Sequence, residues 1–553
     1  MPYEGPTMRQ PETEGISIWS CLFENRDHGE EAGFCDAETG RATPLSMLKR
    51  YSEVMSTELS RTFSVLPGNV ICIFCANSVW YPVAVFAALR LGAIISPTSA
   101  ECTTQEAGHI IRTVCPKIVI VDRVSFKAVD KFLQRREAQS TTLITLTEAE
   151  GSSLGLQSVQ AFSTQITRLQ PVDPWTIGIN RSSHEYCAVL CFTSGTTSQP
   201  KASMISHRNI ISQLYQVKAY TRDDHPRVVL GVLPFYHITG IVHLLHLPIL
   251  LNQKVVVMSR FSMTMLLKTI ATFKCEELWL VPPILIRLVS NDTENRHYLQ
   301  TVRQINTGAA PLGLEIIGKL AARFPDIAIR QAWGMTESCS CLTLTPPDDQ
   351  TYANTHTVGK VVAGTLLRVV TPGTDQDVKA GESGEILAKG PQVMMRYFND
   401  PKTTRETMTS DGFLRTGDIG FVDEHDFVHI KDRLKEIIKV KGVGVAPAEL
   451  EDILMGHPDI KDAAVVGMVD PYSGQVPKAY VVLKPDAECS AGTAISIQNY
   501  VRKRCSRSKW LRGGIAFVTD IPKSASGKIL RRRLPGTGII LDVKGVPDPT
   551  SRL

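Results

Sequence analysis

An apolar run, Tyr186-Cys187-Ala188-Val189-Leu190-Cys191, opens directly into Phe192-Thr193-Ser194-Gly195-Thr196-Thr197-Ser198-Gln199-Pro200-Lys201. The first segment reads as a buried strand. The second packs five hydroxyl side chains, a glycine and a lysine into ten residues. A strand that empties into such a loop is a cradle for phosphate. Backbone N–H groups and hydroxyls donate to phosphate oxygens, and lysine adds a point charge. The spacing is not that of the P-loop, G-x-x-x-x-G-K-[ST]. On composition alone the segment also reads as a solvated surface loop, so the choice rests on the rest of the chain.

At 553 residues the chain is too long for one ordinary core, and roughly two to four domains are expected. Apolar strand runs alternate with helical spacing over roughly the first 400 residues, the pattern of an α/β fold. Lys117-Ile118-Val119-Ile120-Val121, Lys254-Val255-Val256-Val257-Met258 and Glu277-Leu278-Trp279-Leu280-Val281 read as strands, the last stopped by Pro282-Pro283. Val83, Phe86, Ala87 and Leu91 mark a helix between Tyr81 and Leu91. Residues 150–185 are rich in Ser, Gln and Thr and read as a surface connection. Near residue 430 the composition shifts. Asp432-Arg433-Leu434-Lys435-Glu436, four charges in five residues, interrupts the strand Val428-His429-Ile430. A second unit of about 100 residues follows. Its strands are Ile437 to Val440, Ala463 to Met468 and Ala479 to Leu483, with helices at Pro447 to Leu454 and, strongly basic, at Ile495 to Lys509.

Composition excludes several classes. With 43% apolar and 21% charged residues the chain is ordinarily globular, and a net charge of +5 gives no basic face of the nucleic-acid-binding kind. Thirteen scattered cysteines suit a reduced intracellular compartment. Cys72-x-x-Cys75 lies in an apolar run and reads as core rather than as a metal or redox pair. Met1 to Gly15 lacks the regions of a signal peptide, and the longest apolar stretch, Ile241 to Leu251, is too short to span a bilayer, so no transmembrane segment is expected. Ser551-Arg552-Leu553 is a variant of the S-K-L peroxisomal address. It predicts a peroxisomal protein met by an import receptor, and otherwise a cytoplasmic one.

Five further segments share the chemistry of the phosphate loop. Leu233-Pro234-Phe235-Tyr236-His237 ends a strand-like run, and Asn306-Thr307-Gly308-Ala309-Ala310-Pro311-Leu312 is a small-residue loop against which a ligand can lie. Gln331-Ala332-Trp333-Gly334-Met335-Thr336-Glu337-Ser338 gathers an aromatic face, a glycine, a hydroxyl and a carboxylate. Asp411-Gly412-Phe413-Leu414-Arg415-Thr416-Gly417-Asp418 presents Asp418, and Pro522-Lys523-Ser524-Ala525-Ser526-Gly527-Lys528 is a loop ending in lysine. In this order the six segments resemble the adenylate-forming acyl-CoA synthetase superfamily, which also contains firefly luciferase and the adenylation domains of peptide synthetases. Asp432 to Lys439 and Ala446-Pro447-Ala448-Glu449-Leu450-Glu451 resemble its 4-coumarate–CoA ligase-like branch. The resemblance runs from about residue 40 to about residue 535.

The resemblance implies an α/β fold. A large multi-subdomain N-terminal domain (1–432), with mixed β-sheets and flanking helices, would carry the ATP and acyl sites. A hinge (433–436), a small mobile α+β lid domain (437–535) and a tail (536–553) would follow. It also implies a two-step reaction. A carboxylate attacks the α-phosphate of ATP, giving an acyl-adenylate and pyrophosphate; the thiol of coenzyme A then displaces AMP, giving a thioester. Thr193, Ser194, Gly195, Thr196, Thr197 and Lys201 would hold the β- and γ-phosphates by positioning and charge neutralisation. Trp333, where many relatives have tyrosine, would lie against the adenine with Ala309 and Gly334 beside it. Thr336 would touch the α-phosphate, and Glu337, with Thr196, would hold Mg²⁺. Asp418 would accept the ribose hydroxyls, supported by Arg433. Lys528 would bridge the attacking carboxylate and the α-phosphate. Lys435 would be the pivot, and Lys439 would act in the second half-reaction. His237 would gate an acyl pocket formed with Tyr236, Thr239, Gly308, Ala332 and Cys341. His207 and Asn209 read as the start of a helix.

Three residues depart from the pattern. Relatives have glycine where Ser198 and Ala202 stand, and this branch often has glutamine where Gly444 stands. The pocket segments hold small or moderately apolar residues and no acidic group except Glu337. That predicts an aromatic or medium-chain apolar acid, of the kind handled in secondary metabolism, rather than an amino acid. Two other readings stand beside this one: an adenylating enzyme that loads a carrier-protein thiol, and a nucleotide-binding non-enzyme. Lys201, Thr336, Glu337, Asp418, Arg433 and Lys528 together argue against the latter. The basic runs at Val501 to Arg512 and Arg531-Arg532-Arg533 read as solvated faces or as attractors for phosphate.

Overall fold

The computed structural model describes residues 2–7, 15–24, 26, 29–134, 141–165, 170–178, 180–193, 200–222, 225, 227–290, 293–308, 310, 312–441, 443–524 and 527–545. Among them the strands form four sheets. In the first, Val70–Phe74, Ile94–Thr98, Ile118–Val121 and Thr142–Thr145 are parallel. The hairpin Cys187–Thr193/Lys201–Ser206 joins it beside Ile94–Thr98. In the second, Gly33–Asp36, Lys254–Val257, Val228–Gly231, Glu277–Trp279, Gln304–Thr307 and Ala328–Met335 run parallel. Ser340–Leu344 then folds back antiparallel on Ala328–Met335. Parallel strands are covered on both faces and so read as continuous apolar runs; Val70, Ile71, Cys72, Ile73 and Phe74 are all buried.

A third sheet, antiparallel, contains Leu366–Val370, Gly384–Lys389, Leu414–Val422 and Val428–Arg433. The fourth belongs to the small C-terminal unit, with Ile438–Val440, Val443–Val445, Ile460–Asp470, Gly474–Leu483, Ile515–Val518 and Ile539–Val543. Its core gathers Val465, Val481, Ile515 and Phe517 with Leu450 and Leu454 of helix Pro447–Met455 and Ile497 of helix Ala491–Arg502. No helix among the described residues is long and apolar enough to cross a membrane. Cys72 and Cys75 are buried thiols, and burial pushes Cys72 up to about 12, which keeps it protonated.

Several elements differ from the sequence reading. The strand at Glu277 ends at Trp279, and Pro282 begins a helix, Pro282–Ser290, where a missing N–H costs nothing. The polar stretch 150–185 is not a bare connection. Helices Glu148–Leu154 and Val159–Ser163 are capped by Thr147 and Ser158, and Val159 and Phe162 are buried. The basic helix starts at Ala491, because the Ser490 hydroxyl accepts from Thr493 N–H, and ends at Arg502. The charged segment does not interrupt its strand, since Val428–Arg433 pairs through Asp432 and Arg433. Residues 539–543, expected in a tail, form an edge strand on Ile515–Val518.

Three histidines lie inside the large unit. His207, at the start of helix His207–Ala219, accepts from Ile18 N–H through Nδ1 at 3.1 Å. Ser206 and Asn209 form that helix's capping box, as a helix start requires. His243 stacks on Trp279 at 4.0 Å, and His246 meets Phe86 edge-on. The last two sit in a π-helical segment, Gly240–His246, in which Leu247 N–H reaches back five residues to Val242. Burial pushes His207 and His243 down to about 3 and His246 down to about 4. Above pH 7 all three rings are neutral in folded and unfolded chains alike. As pH falls, the unfolded chain binds protons that the folded one refuses, at up to about 1.4 kcal/mol per pH unit for each ring. Asp432, raised by burial to about 6, pulls the other way, but by pH 6 it takes up only about half a proton in the folded chain, against three imidazoles in the unfolded one. The thermal midpoint should therefore begin to fall between pH 7 and 6. A midpoint that rises across this interval contradicts the neutral-histidine account.

Candidate active site

The strands that flank the expected phosphate loop, Cys187–Thr193 and Lys201–Ser206, form a hairpin. Thr193 ends one strand, Lys201 begins the other, and the two are register partners. Residues Ser194, Gly195, Thr196 and Thr197 lie outside the described residues, as do Ser198 and Ala309. Ala202 is a buried strand residue opposite Phe192, where a methyl group is accommodated. Lys201 Nζ donates to Thr403 Oγ1 at 3.0 Å and stands 5.7 Å from the Tyr397 ring centroid. Tyr397 comes from the short strand Arg396–Tyr397, paired with the lysine's own strand. Its hydroxyl donates to Glu337 Oε1 at 2.7 Å. Sequence reasoning missed both Tyr397 and Thr403. They lie in Arg396-Tyr397-Phe398-Asn399-Asp400-Pro401-Lys402-Thr403, and nothing in that segment's composition marks it.

The strand Ala328–Met335 delivers Ala332, Trp333 and Gly334, and a single turn, Thr336–Ser338, delivers Thr336 and Glu337. The strand bends there through an irregularity between Trp333 and Gly334. A Cβ at Gly334 would lie 1.6 Å from Ser340 O, so only glycine fits the fold-back. Trp333 Nε1–H donates to Asp418 Oδ2 at 2.8 Å, and Arg433 Nε lies 3.4 Å from Asp418 Oδ1. Asp418 and Arg433 are themselves register partners. Burial raises the Asp418 pKa, while Arg433, the Trp333 hydrogen bond and Lys528 hold it back.

Lys528 comes from the other unit. Its backbone N–H donates to Ser524 Oγ, and Ser524 N–H donates to the Lys528 carbonyl, closing a loop. Gly527 makes the turn at φ +80°, and a Cβ there would lie 3.0 Å from Pro283 Cδ, so the loop is seated on the large unit. Burial, then Arg433, lowers the Lys528 pKa; Glu436, Asp418 and Glu337 raise it. The ammonium therefore shares a field with the carboxylates of both Trp333-bearing and Asp418-bearing segments. Lys439 is not in this group. It is exposed on Ile438–Val440, its N–H bonded to Gln475 Oε1. Gly444 is exposed on the neighbouring strand.

The joint between units is short. Leu434 N–H donates to Gly417 O at 2.8 Å, on the large unit. Glu436 and Ile437 N–H both return to Arg433 O. Arg531 Nε then holds Glu436 Oε2 at 3.0 Å, while its other nitrogens take both Glu451 oxygens and Val465 O. Lys435 lies exposed between these anchors. Asp432 spans the joint by accepting Ala448 N–H at 2.9 Å, at the first turn of helix Pro447–Met455. The run Arg531-Arg532-Arg533 is thus not uniformly solvated, because Arg531 is an internal clamp.

On the acyl side, Tyr236, His237 and Thr239 precede the π-helical segment. His237 Nδ1 accepts from Thr239 N–H at 3.4 Å, and burial pushes its pKa down to about 4. Gly308 approaches Ala332, whose carbonyl would lie 2.7 Å from an added Cβ. Cys341 is the register partner of Gly334, and its Sγ lies 3.5 Å from His243 Nε2. No group of three or more His, Cys, Asp or Glu side chains suited to hold a metal occurs among the described residues.

A family model described as AMP-binding enzyme matches residues 48–398, and one described as AMP-binding enzyme C-terminal domain matches residues 449–528. A 4-coumarate–CoA ligase 2 from Oryza sativa subsp. japonica is 34% identical over 525 residues, 90% of this chain and 88% of that protein. A peroxisomal OPC-8:0-CoA ligase 1 from Arabidopsis thaliana is 32% identical, over 93% of this chain and 92% of that protein. Among solved structures, an anthranilate–CoA ligase with anthranoyl-AMP superposes with a TM-score of 0.83. It covers 94% of this chain and 97% of its own, at 21% identity.

The Arg531 clamp gives a stability test. Arg531→Met leaves Glu436 and Glu451 largely buried without a cation, and the loss should be about 3 kcal/mol. Denaturation midpoints should show it, whereas Arg532→Met, at an exposed neighbour, should leave them in place. Equal midpoints for the two variants would remove the clamp.

Proposed function

The chain belongs to the AMP-binding enzyme family, and from that premise we infer that it is an ATP-dependent ligase joining a carboxylic acid to coenzyme A. The acid's carboxylate oxygen attacks the α-phosphorus of ATP and pyrophosphate leaves, giving an acyl-adenylate. The thiol sulfur then attacks the acyl carbon, the thiol proton is lost, and AMP leaves with the bonding electrons. One observation carries the reading best: the small unit's Lys528 stands in the same field as Asp418 and Glu337 of the large unit. That arrangement fits the first half-reaction, in which a cation must sit between an incoming carboxylate and a phosphate.

The residue roles follow from charge and position. Lys528 stabilises the negative charge that develops as the two anions meet. Thr193, Thr196, Thr197 and Lys201 hold the departing pyrophosphate, Lys201 being steadied by Thr403. Trp333 offers its face to the adenine, Asp418 takes the ribose hydroxyls, and Thr336 donates to the α-phosphate. Glu337 fits Mg²⁺ as a hard oxygen ligand whose other oxygen Tyr397 has fixed; a metal bound mainly by phosphates needs few protein carboxylates. When bound, Mg²⁺ neutralises charge on the phosphates. Lys435 is the pivot that removes the Lys528 loop and brings Lys439 toward the site for the second half-reaction.

The acid is aromatic or medium-chain and apolar, admitted past His237. The named activities of the rice, Arabidopsis and anthranilate-handling proteins support that class. A peroxisomal setting rests on Ser551-Arg552-Leu553, outside the described residues, and on the peroxisomal naming of the Arabidopsis relative.

Pyrophosphate release should be stimulated by members of a panel of aromatic and medium-chain acids, and acyl-CoA should form only when coenzyme A is added. No stimulation by any acid would count against the ligase. Lys528→Ala should slow adenylate formation by about 10²–10³-fold. Lys435→Pro should retain part of the adenylation while losing thioester synthesis. Equal survival of both half-reactions would remove the pivot.

A further inference from the structure

Trp333 offers an adenine more than a flat face. Its indole nitrogen is committed to a carboxylate, because Nε1–H donates to Asp418 Oδ2 at 2.8 Å. Both residues are nearly closed to solvent, at 8% and 5% exposure. The ring is held by packing with Leu342, Val361, Leu367, Val369 and Ile386. Trp333 and Asp418 also belong to different sheets, Ala328–Met335 in one and Leu414–Val422 in another. The bond therefore ties two layers of the large unit together at the carboxylate. On the opposite side Arg433 Nε stands 3.4 Å from Oδ1, and the Asp418 N–H donates to Thr416 Oγ1 at 3.1 Å. A hydrogen bond to a charged acceptor is among the stronger ones, and it fixes direction as well as charge. A carboxylate offers about four lone-pair sites, so one indole donor leaves places for hydroxyl donors.

We propose that Trp333 is a positioning residue for Asp418, and that its N–H aims the carboxylate at the two hydroxyls of the nucleotide's ribose. Recognition of the sugar then depends on the residue that faces the base. Neither phenylalanine nor tyrosine carries a donor on the side of its ring, so this chain aims its carboxylate with a group those residues lack. The inference rests on the ribose role given to Asp418 above.

The test is equilibrium binding to the full chain, by calorimetry, of ATP and of 2′,3′-dideoxyATP. The second nucleotide keeps the base and the phosphates and lacks both hydroxyls. Trp333→Phe keeps an aromatic face and removes the N–H. Weaker stacking alone would weaken both nucleotides alike. Loss of aim should weaken ATP by about tenfold more than the dideoxy compound, the size of one charged hydrogen bond. The preference for ATP should fall by that factor. A preference that stays within about twofold of the parent chain's overturns the proposal. Trp333→Tyr is measured beside it, so that poor folding of one variant, seen in its melting curve, leaves the other to decide; it should show the same fall. Asp418→Ala separates the two levels. If it leaves the preference intact, the ribose reading itself fails. If it abolishes the preference while both Trp333 variants keep it, only the positioning role fails.

Discussion

A lysine ammonium projecting from one domain into the carboxylates of another is the interaction on which the arrangement depends. Burial, then Arg433, lowers the Lys528 pKa; Glu436, Asp418 and Glu337 offset this in part. Burial alone disfavours the charged form of an amine, and carboxylates nearby favour it. The match of ammonium to carboxylates depends on Gly527, beside Lys528, being seated against Pro283 in a conformation few side chains adopt. The same ammonium therefore reports domain placement and, on the proposed reading, would carry out chemistry. A cation delivered from a second domain is present only in one pose, which suits an enzyme whose two steps need different neighbours at one place.

Around that lysine two of the carboxylates are also held by aromatic donors, beside the cations Arg433 at Asp418 and Arg531 at Glu436. Tyr397 holds Glu337 and Trp333 holds Asp418. Neutral donors fix the direction of a carboxylate without cancelling its charge. Lys201 completes the set from the other side, close to Tyr397. Lys201, Trp333 and Asp418 come from three different sheets, so three strand systems converge on a small region.

Much of this was legible in the chain. The parallel strands announce themselves as apolar runs, and the chemistry-bearing segments fall at their ends: Thr193, Gly308, Trp333 to Glu337. Spacing alone could not show that Lys201 begins a second strand, that Tyr397 reaches Glu337 across sixty residues, or that Arg531 faces inward while Arg532 faces solvent. Those facts depend on tertiary register, which a local pattern does not encode. Helix caps were the other blind spot. Ser490, Thr147 and Ser158 start helices in stretches whose polar composition resembles loop. The edge strand Ile539–Val543 lay beyond the segments that carried the family resemblance, and only its pairing reveals it.

The joint between the domains has a consequence for how the chain is digested. Linkers are ordinarily the soft point of a two-domain protein, because a protease must draw several consecutive residues into an extended strand within its cleft. Here Leu434 is tied to Gly417, Glu436 to Arg531, and the turn between them is closed by two bonds to Arg433 O. Only Lys435 protrudes. A tryptic site is thus advertised by the side chain and withheld by the backbone, and the boundary most visible in the sequence is one of the poorest places to cut the folded protein.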